Sequence, residues 1–342
     1  MPKAILLLSG GLDSTLAGKL LLDMGIQIEA LNFVSPFCRC TPKGLGCPAA
    51  RKAAEQLGIP VQILACGEEY LQVVKHPRFG RGRGMNPCLD CRIHMFSQAR
   101  RRMEETGADF IATGEVLGER PMSQRRHAME IIEHESGLAG LIVRPLSSKL
   151  LPESLPEEKG LLDTARLKAI QGRSRKPQIA LANKLGIRDY LCPAGGCLLT
   201  DREFSVRLRD LFDYDPSCKM SDIGLLKLGR HFRLDSGAKV VVGRNEEENA
   251  VLESLVRPDD ALLIPQNSPG PTALCRGPSP TDDVPLAARL LVAHAKRGTT
   301  RLDVAVRGPD SSAQLLPGVR GLTRVDASRW IVSASPLCPA GK

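Results

Sequence analysis

The sequence predicts an α/β chain: a parallel sheet with helices on both faces, followed by a smaller C-terminal α+β domain. Three observations predict it. Ala4-Ile5-Leu6-Leu7-Leu8 is apolar without alternation, as in a strand covered on both sides. Strand-like and helix-like segments then alternate as far as Val143, which calls for parallel strands joined by right-handed crossovers. From about Ser221 short strands and turns replace that rhythm.

The elements follow in order. Leu12 to Met24 carries Leu16, Leu20, Leu21 and Met24 at helical spacing. Ile26 to Val34 reads as a second strand, Ala49 to Leu57 as a helix and Val61 to Ala65 as a third strand. Asn86 to Thr106 is a long helix, Asp109 to Thr113 a fourth strand and Leu141 to Val143 a fifth. Asp201 to Leu211 is expected as a connecting helix, and Gly229 to Leu234 and Lys239 to Asn245 as short strands. Gln266 to Thr281, rich in Pro, Ser and Gly, is expected as a loop. The expected organisation is a domain over 1–200, a connector over 201–220 and a second domain over 221–342.

The 342 residues suffice for two domains without disulfide staples. Apolar content of 42% and charged content of 25% are those of a soluble globular chain, and 4% aromatics imply aliphatic cores. A net charge of +9 favours an acidic partner, nucleic acid first. No apolar run is long enough for an export signal or a bilayer span, so a cytoplasmic protein without a membrane partner is expected. In that compartment the eleven cysteines are expected as metal ligands, reactive thiols or small core residues.

Ser9-Gly10-Gly11-Leu12-Asp13-Ser14 lies between the first strand and the first helix. Two glycines let the backbone approach an anion, two hydroxyls can donate to phosphate oxygens, and a helix N-terminus follows. No Gly-Lys-Ser/Thr follows, so this is not a Walker loop. Asp13 beside phosphates points to Mg²⁺ and a triphosphate. The motif resembles that of the PP-loop ATP pyrophosphatases, a HUP-like α/β fold. The resemblance implies ATP held by Ser9, Gly10, Gly11, Asp13 and Ser14, cleavage between the α and β phosphates, and adenylation of a carbonyl oxygen. The adenine is expected near Leu31 and Phe33 at the end of strand two, with Thr113 and Gly114 ending strand four in the same site.

Cys88 and Cys91, at i and i+3, share one face at a helix start, where the dipole favours thiolates. Cys197 follows a Gly-Gly turn, with Cys192 as its competitor. Pro87-Cys88-x-x-Cys91, a basic helix and Gly107 to Gly114 resemble the tRNA thiolation enzymes of the PP-loop group, of the ThiI, MnmA and TtuA kinds. In cluster-dependent members that resemblance implies a four-iron, four-sulfur (4Fe-4S) cluster on Cys88, Cys91 and Cys197; in MnmA-like members the same thiols would carry and resolve a persulfide. Gly114-Glu115 departs from the Gly-His-Asn of the cluster-dependent relatives. Cys38, Cys40 and Cys47 are expected to bind zinc, to add cluster ligands or to exchange sulfur.

Lys75 to Arg102 holds Lys75, Arg78, Arg81, Arg83, Arg92, Arg100, Arg101 and Arg102 against one acid, Asp90. With Gly80, Gly82 and Gly84 interleaved, this reads as a flexible phosphate clamp. Arg173, Arg175 and Lys176 form a second basic turn, expected to touch ATP phosphates or RNA. Val240 to Asn249, with Val-Gly-Arg-Asn ending at Asn245, resembles the RNA-binding module of the NFACT family, which implies tRNA docking through Arg244. The expectation is an ATP-dependent tRNA sulfurtransferase with catalytic Asp13, Cys88, Cys91 and Cys197, fed by a cysteine desulfurase or sulfide. Its rivals are a PP-loop ligase that adenylates a small molecule and an RNA-binding protein gated by ATP.

Overall fold

The computed structural model describes residues 1–39, 47–190, 196–277, 280–308 and 313–334. The chain divides into two compact units, Met1–Thr200 and Asp201–Lys342.

In the first unit β1 (Lys3–Leu7), β2 (Gln27–Val34), β3 (Val61–Ala65), β4 (Phe110–Thr113) and β5 (Ile142–Val143) form one parallel sheet in the order β3-β2-β1-β4-β5. Helices α1 (Leu12–Asp23), α2 (Pro48–Leu57), α3 (Glu68–Lys75), α4 (Cys88–Thr106) and α5 (Arg126–Glu135) connect the strands, and α6 (Leu155–Glu158) and α7 (Lys176–Leu185) follow. The sheet is buried on both faces because its strands alternate between two apolar layers. Ala4, Leu6 and Leu8 meet Ala17 and Leu21 of α1 and Ala53 and Ala54 of α2. Ile5 and Leu7 meet Phe96, Ala99 and Met103 of α4 and Ile132 of α5. The chain moves from β1 to β3 on one side and returns to β4 on the other. The switch point therefore lies between β1 and β4, where α/β sheets bind ligands beyond the carboxyl ends of the strands.

The second unit opens with α8 (Arg202–Tyr214). Then come β6 (Arg230–Arg233), β7 (Lys239–Val242), α9 (Glu246–Ser254), β8 (Ala261–Pro265), β9 (Ala273–Arg276), α10 (Pro280–Ala293), β10 (Arg301–Arg307), β11 (Ala313–Arg320) and α11 (Arg324–Ala327). The strands make an antiparallel sheet in the order β11-β10-β8-β9-β7-β6. Side chains alternate between faces as the pleat requires. Val240, Val242, Leu263 and Ala273 pack with Ala287, Ala288 and Leu291 of α10. Val241, Leu262 and Leu274 pack with Leu252 of α9.

Two sequence expectations change here. The loop expected over Gln266 to Thr281 contains β9, a central strand, because the short apolar run Ala273-Leu274-Cys275 lies between Pro/Gly-rich stretches. The connector expected over 201–220 contains α8, whose Asp210 is bound into the second unit. Arg233 donates to Asp210 through Nε at 3.0 Å and Nη2 at 2.7 Å, and Lys239 Nζ donates as well. Burial pushes the Asp210 carboxyl up, but the Arg233 hydrogen bonds and the Lys239 charge outweigh it and hold the group below the ordinary carboxylate range. The resulting stability is fully present above that ordinary range and is lost as pH falls through the folded-state value. Asp210→Asn is expected to cost about 3 kcal/mol by leaving two buried cations poorly paired. A lower denaturant midpoint for the second unit checks this, and an unchanged one refutes it.

Candidate active site

The Ser9–Ser14 loop leaves β1 at the switch point. Gly10 has φ +76°, and a Cβ there would sit 2.4 Å from the Ala49 carbonyl carbon in the first turn of α2. On the other side a Cβ at Gly114 would sit 2.4 Å from both the Asp13 carbonyl carbon and the Ser14 nitrogen. The loop is thus wedged between two backbones. Inside it the Ser9 and Ser14 hydroxyls meet at 3.1 Å, Ser14 Oγ donates to Gly11 O at 3.0 Å, and Gly11 N–H donates to Ser9 Oγ at 3.3 Å. Gly11 is the N-cap of α1 and supplies no capping side chain, so the positive end of the helix opens onto the loop.

Four side chains that sequence reading assigned no role, Glu119, Arg120, Gln178 and Asn32, complete this edge, joined by Arg175, which the sequence places at ATP phosphates or RNA. Burial raises the Asp13 carboxyl above its ordinary value, opposed by Arg175, Gln178 and Arg120. Burial and the neighbouring Asp13 charge raise Glu119 in the same way. Asp13 Oδ1 is buried without a hydrogen-bond partner, and so are both amide atoms of the fully buried Gln178. Such orphaned oxygens fit a hard cation beside phosphates. Asn32 is buried in β2 and donates to Leu8 O at 2.7 Å, while its Oδ1 has no partner. A lone amide in an otherwise apolar strand was the available signal. Leu31 is a core residue and Phe33 packs beside it, so Leu31 can offer a nucleotide only its backbone. Thr113 is buried at the end of β4 and accepts from Glu115 N–H at 3.2 Å.

The thiols gather on the same unit. Cys88 donates to Asn86 Oδ1 at 3.2 Å, and the Tyr70 hydroxyl donates to Cys91 Sγ at 3.1 Å. Cys38 and Cys197 form an isolated antiparallel bridge. Cys38 and Cys88 both bear electrostatically on Cys91 and Cys197, and Cys66 feels Cys91 and Cys38. Cys38 thus lies among Cys88, Cys91 and Cys197. Cys47 instead caps α2 beside the phosphate loop, and Cys40 and Cys192 lie outside the described residues. Among the described residues no three His, Cys, Asp or Glu side chains take up metal-ligand geometry. The expected cluster ligands Cys88, Cys91 and Cys197 lie in one group, each close enough to bear on the others, with Tyr70 and Asn86 beside it. The thiolate expected from the helix dipole is also overridden at Cys91, where burial pushes the thiol up against the Tyr70 hydrogen bond and the Arg92 charge. Burial pushes Cys66 and Cys197 up to about 12.

Glu115 joins the thiol helix to the nucleotide wall. Arg92, next to Cys91, reaches Glu115 Oε1 at 3.3 Å, and the buried Arg144 donates to Glu115 Oε2 at 3.1 Å and also to Glu133. This is the structural reason for Glu after Gly114. The same pairing engages Arg92, one of the expected RNA contacts.

Acids from elsewhere balance much of the basic segment. Arg78 is bidentate on Glu135, Arg100 pairs with Glu104, and Arg102 pairs with Glu29 and Glu105. Arg81 caps α3 by donating to Val74 O and Lys75 O. Arg81, Arg83, Arg101, Arg173 and Lys176 remain exposed, while Arg175 is turned toward Asp13. In the second unit Arg244 is tied to Glu248 within its own turn, and Asn249 holds Gly270 O and Thr272 N–H. Residues Lys296, Arg297 and Arg324 line a groove of 480 Å³ with Gly298 and Thr299, and Arg289 and Arg320 line a second groove with Pro285, Leu316 and Pro317. Burial, with the charges of Arg230 and Arg324, pushes the nearby His294 down to about 4.

The family model described as tRNA methyl transferase HUP domain matches residues 2–133, and the one described as NFACT protein RNA binding domain matches residues 229–331. The tRNA-specific 2-thiouridylase MnmA of Syntrophotalea carbinolica is 37% identical over 137 residues, covering 37% of this chain and 35% of its own. The probable tRNA sulfurtransferase of Staphylococcus aureus is 34% identical over 148 residues, covering 42% of this chain and 34% of its own. The solved U34-tRNA thiolase NcsA from Methanococcus maripaludis, with its [4Fe-4S] cluster, aligns over 66% of this chain and 73% of its own at 20% identity and a TM-score of 0.33. The chain spans about a third of the length of these curated relatives.

The wedge makes a direct prediction. Gly114→Ala is expected to cost about 1–3 kcal/mol and to weaken ATP binding in calorimetry, because a backbone must move. Gly67→Ala, where a Cβ meets nothing within 4 Å, is the control and is expected to bind ATP as the parent does. Equal binding by both variants would refute the wedge.

Proposed function

We infer, from a chain that joins a HUP-type PP-loop domain to an NFACT-type RNA-binding domain, that it is an ATP-dependent tRNA sulfurtransferase making thiouridine. One observation carries the reading: the phosphate loop and the grouped thiols belong to one unit and are tied together by Glu115, through Gly114 on one side and Arg92 on the other. The relatives named as a 2-thiouridylase and a tRNA sulfurtransferase support it.

ATP sits with its phosphates on Ser9, Gly11, Ser14 and the open α1 N-terminus. Asp13 and Glu119 are the residues that would hold Mg²⁺, which when bound neutralises the pyrophosphate leaving group. Arg175 and Arg120 add fixed positive charge at the same edge. The uridine carbonyl oxygen attacks the α-phosphorus and pyrophosphate leaves. Sulfur carried on the thiol group then attacks the adenylated carbon and AMP leaves. Cys88, Cys91 and Cys197 would carry that sulfur as a persulfide or hold a four-iron, four-sulfur cluster that supplies it. A cysteine desulfurase would supply the sulfur of a cysteine persulfide, and sulfide would serve a cluster on the same thiols.

RNA is held through phosphates. Arg81, Arg83, Arg101, Arg173 and Lys176 serve the first unit, and the two basic grooves serve the second, where no carboxylate is among the lining residues. Arg244 acts by fixing the turn rather than by touching RNA.

Two tests follow. Asp13→Asn is expected to lower tRNA-dependent pyrophosphate release roughly a hundredfold. ATP–pyrophosphate exchange with a small carboxylic acid and no RNA would instead put the ligase reading first. Replacing Lys296, Arg297 and Arg324 together by Ala is expected to weaken tRNA binding and to flatten the salt dependence by about 1 per lost phosphate contact. An unchanged slope would take the groove out of the RNA interface.

A further inference from the structure

We propose that Arg92 receives the phosphate of the departing AMP in the sulfur-transfer step, and that Glu115 positions Arg92 for it. This rests on the sulfurtransferase reading and names the residue at which its two steps meet. Arg92 stands next to Cys91 near the start of α4, and its charge bears on that thiol. Its Nε lies 3.3 Å from Glu115 Oε1. Glu115 follows Gly114, where a Cβ would sit 2.4 Å from the Asp13 carbonyl carbon and from the Ser14 nitrogen. One cation therefore lies between the wall of the phosphate loop and the thiols. Sulfur, the activated carbon and the leaving phosphate have to meet in that interval.

Burial of Glu115 does not depend on Arg92 alone. The buried Arg144 already donates to Glu115 Oε2 at 3.1 Å, and also to Glu133. Arg92 is placed differently. Its side chain is 25% exposed, against 1% for Glu115 and 4% for Arg144. Its contact with Glu115 runs through Nε, which leaves both terminal nitrogens of the guanidinium for a second partner. A planar fork matches a phosphate, and the guanidinium stays charged throughout. The other arginines at this edge serve a different group. Arg175 and Arg120 bear on Asp13 and Glu119, on the metal and pyrophosphate side. Arg92 bears on Cys91, on the side where the adenylate is taken apart.

Adenylation leaves the uridine carbon joined through its oxygen to the phosphorus of AMP. With hydrosulfide as the sulfur co-reactant, a sulfur electron pair forms the C–S bond. The C–O bond breaks, and its electron pair stays on the oxygen, which leaves with AMP. The sulfur proton passes to water and the thiocarbonyl remains, so nothing is oxidised or reduced. The AMP phosphate gains a negative charge as it leaves. The free end of the Arg92 guanidinium forks onto that phosphate. The contact is stronger as charge develops than before it, and a contact of that kind lowers a barrier.

The test gives the full chain tRNA, ATP labelled at the α-phosphate and a sulfur source, either sodium sulfide or a cysteine desulfurase with cysteine. Label held on tRNA reports the adenylate, and thiouridine reports the product. Arg92→Gln is expected to raise the ratio of adenylate to thiouridine at least about tenfold, because the second barrier rises more than the first. Arg92→Lys keeps the charge beside Glu115 without the fork, and is expected to raise the ratio by a smaller factor. Glu115→Gln is expected to raise it as well, and to add nothing further in the Arg92→Gln background, as a residue acting through Arg92 must. ATP binding in calorimetry reports that each variant is folded. An unchanged ratio in folded Arg92→Gln, or pyrophosphate release lowered as much as thiouridine, would overturn the proposal, while a parent chain that makes thiouridine keeps the sulfurtransferase reading intact. A parent chain that releases no pyrophosphate with tRNA would overturn both.

Discussion

The structure of the first unit depends on a steric constraint: the phosphate loop has no room for a Cβ on either side. Gly10 backs onto α2, and Gly114, in the loop from β4, backs onto the phosphate loop at Asp13 and Ser14. Those two contacts fix the distance between the ends of β1 and β4, the strands flanking the switch point. They also fix where the open end of α1 points. An anion site made of backbone N–H groups has no long side chain to adjust, so its accuracy must come from packing. The flexible residue type is what makes the rigid site possible here.

Behind that wall a buried ion network does a second job. Glu115, Arg144 and Glu133 are charges taken out of water, which is weak grounds for stability in itself. Its value is connection. Glu115 follows the glycine that touches the phosphate loop, and through Arg92 it reaches the turn of α4 that carries Cys91. A change at one end of the chain of contacts has to be felt at the other, because any break strands a charge in the core. In the proposed reaction, adenylation and sulfur transfer would thus share one frame.

Much of this was legible in the sequence. Every strand of the parallel sheet could be read, because doubly covered strands and amphipathic helices have different periods. The phosphate loop could be read because two glycines, two serines and an aspartate in six positions have no common structural use. What could not be read depends on distant packing. Glu119, Gln178 and Asn32 reach the loop from three different segments, and none stands in a motif. The charge run after Lys75 looked unbalanced because Glu29, Glu115 and Glu135, which neutralise much of it, lie far off in sequence. The spacing of Cys38 allows zinc binding, extra cluster ligation or sulfur exchange, and only the bridge across 159 positions, which no local pattern reports, puts it opposite Cys197. β9 was hidden because a strand of four residues between glycines and prolines carries too short a pattern to register.

The thiols show the same economy of design in their charge states. Burial keeps Cys66, Cys91 and Cys197 protonated at rest, which makes them poor nucleophiles and poor targets for stray oxidants. Yet donors already face the sulfurs: the Tyr70 hydroxyl and the Arg92 charge at Cys91, and the Leu199 N–H at Cys197. These groups do little for a neutral thiol and much for a sulfur that gains negative charge. A dry pocket with donors in place therefore stabilises the charge that develops during transfer more than the state before it. Burial alone would give inert cysteines, and donors alone would give permanently exposed thiolates. In the proposed reaction the two together would reserve reactivity for the step in which sulfur is transferred.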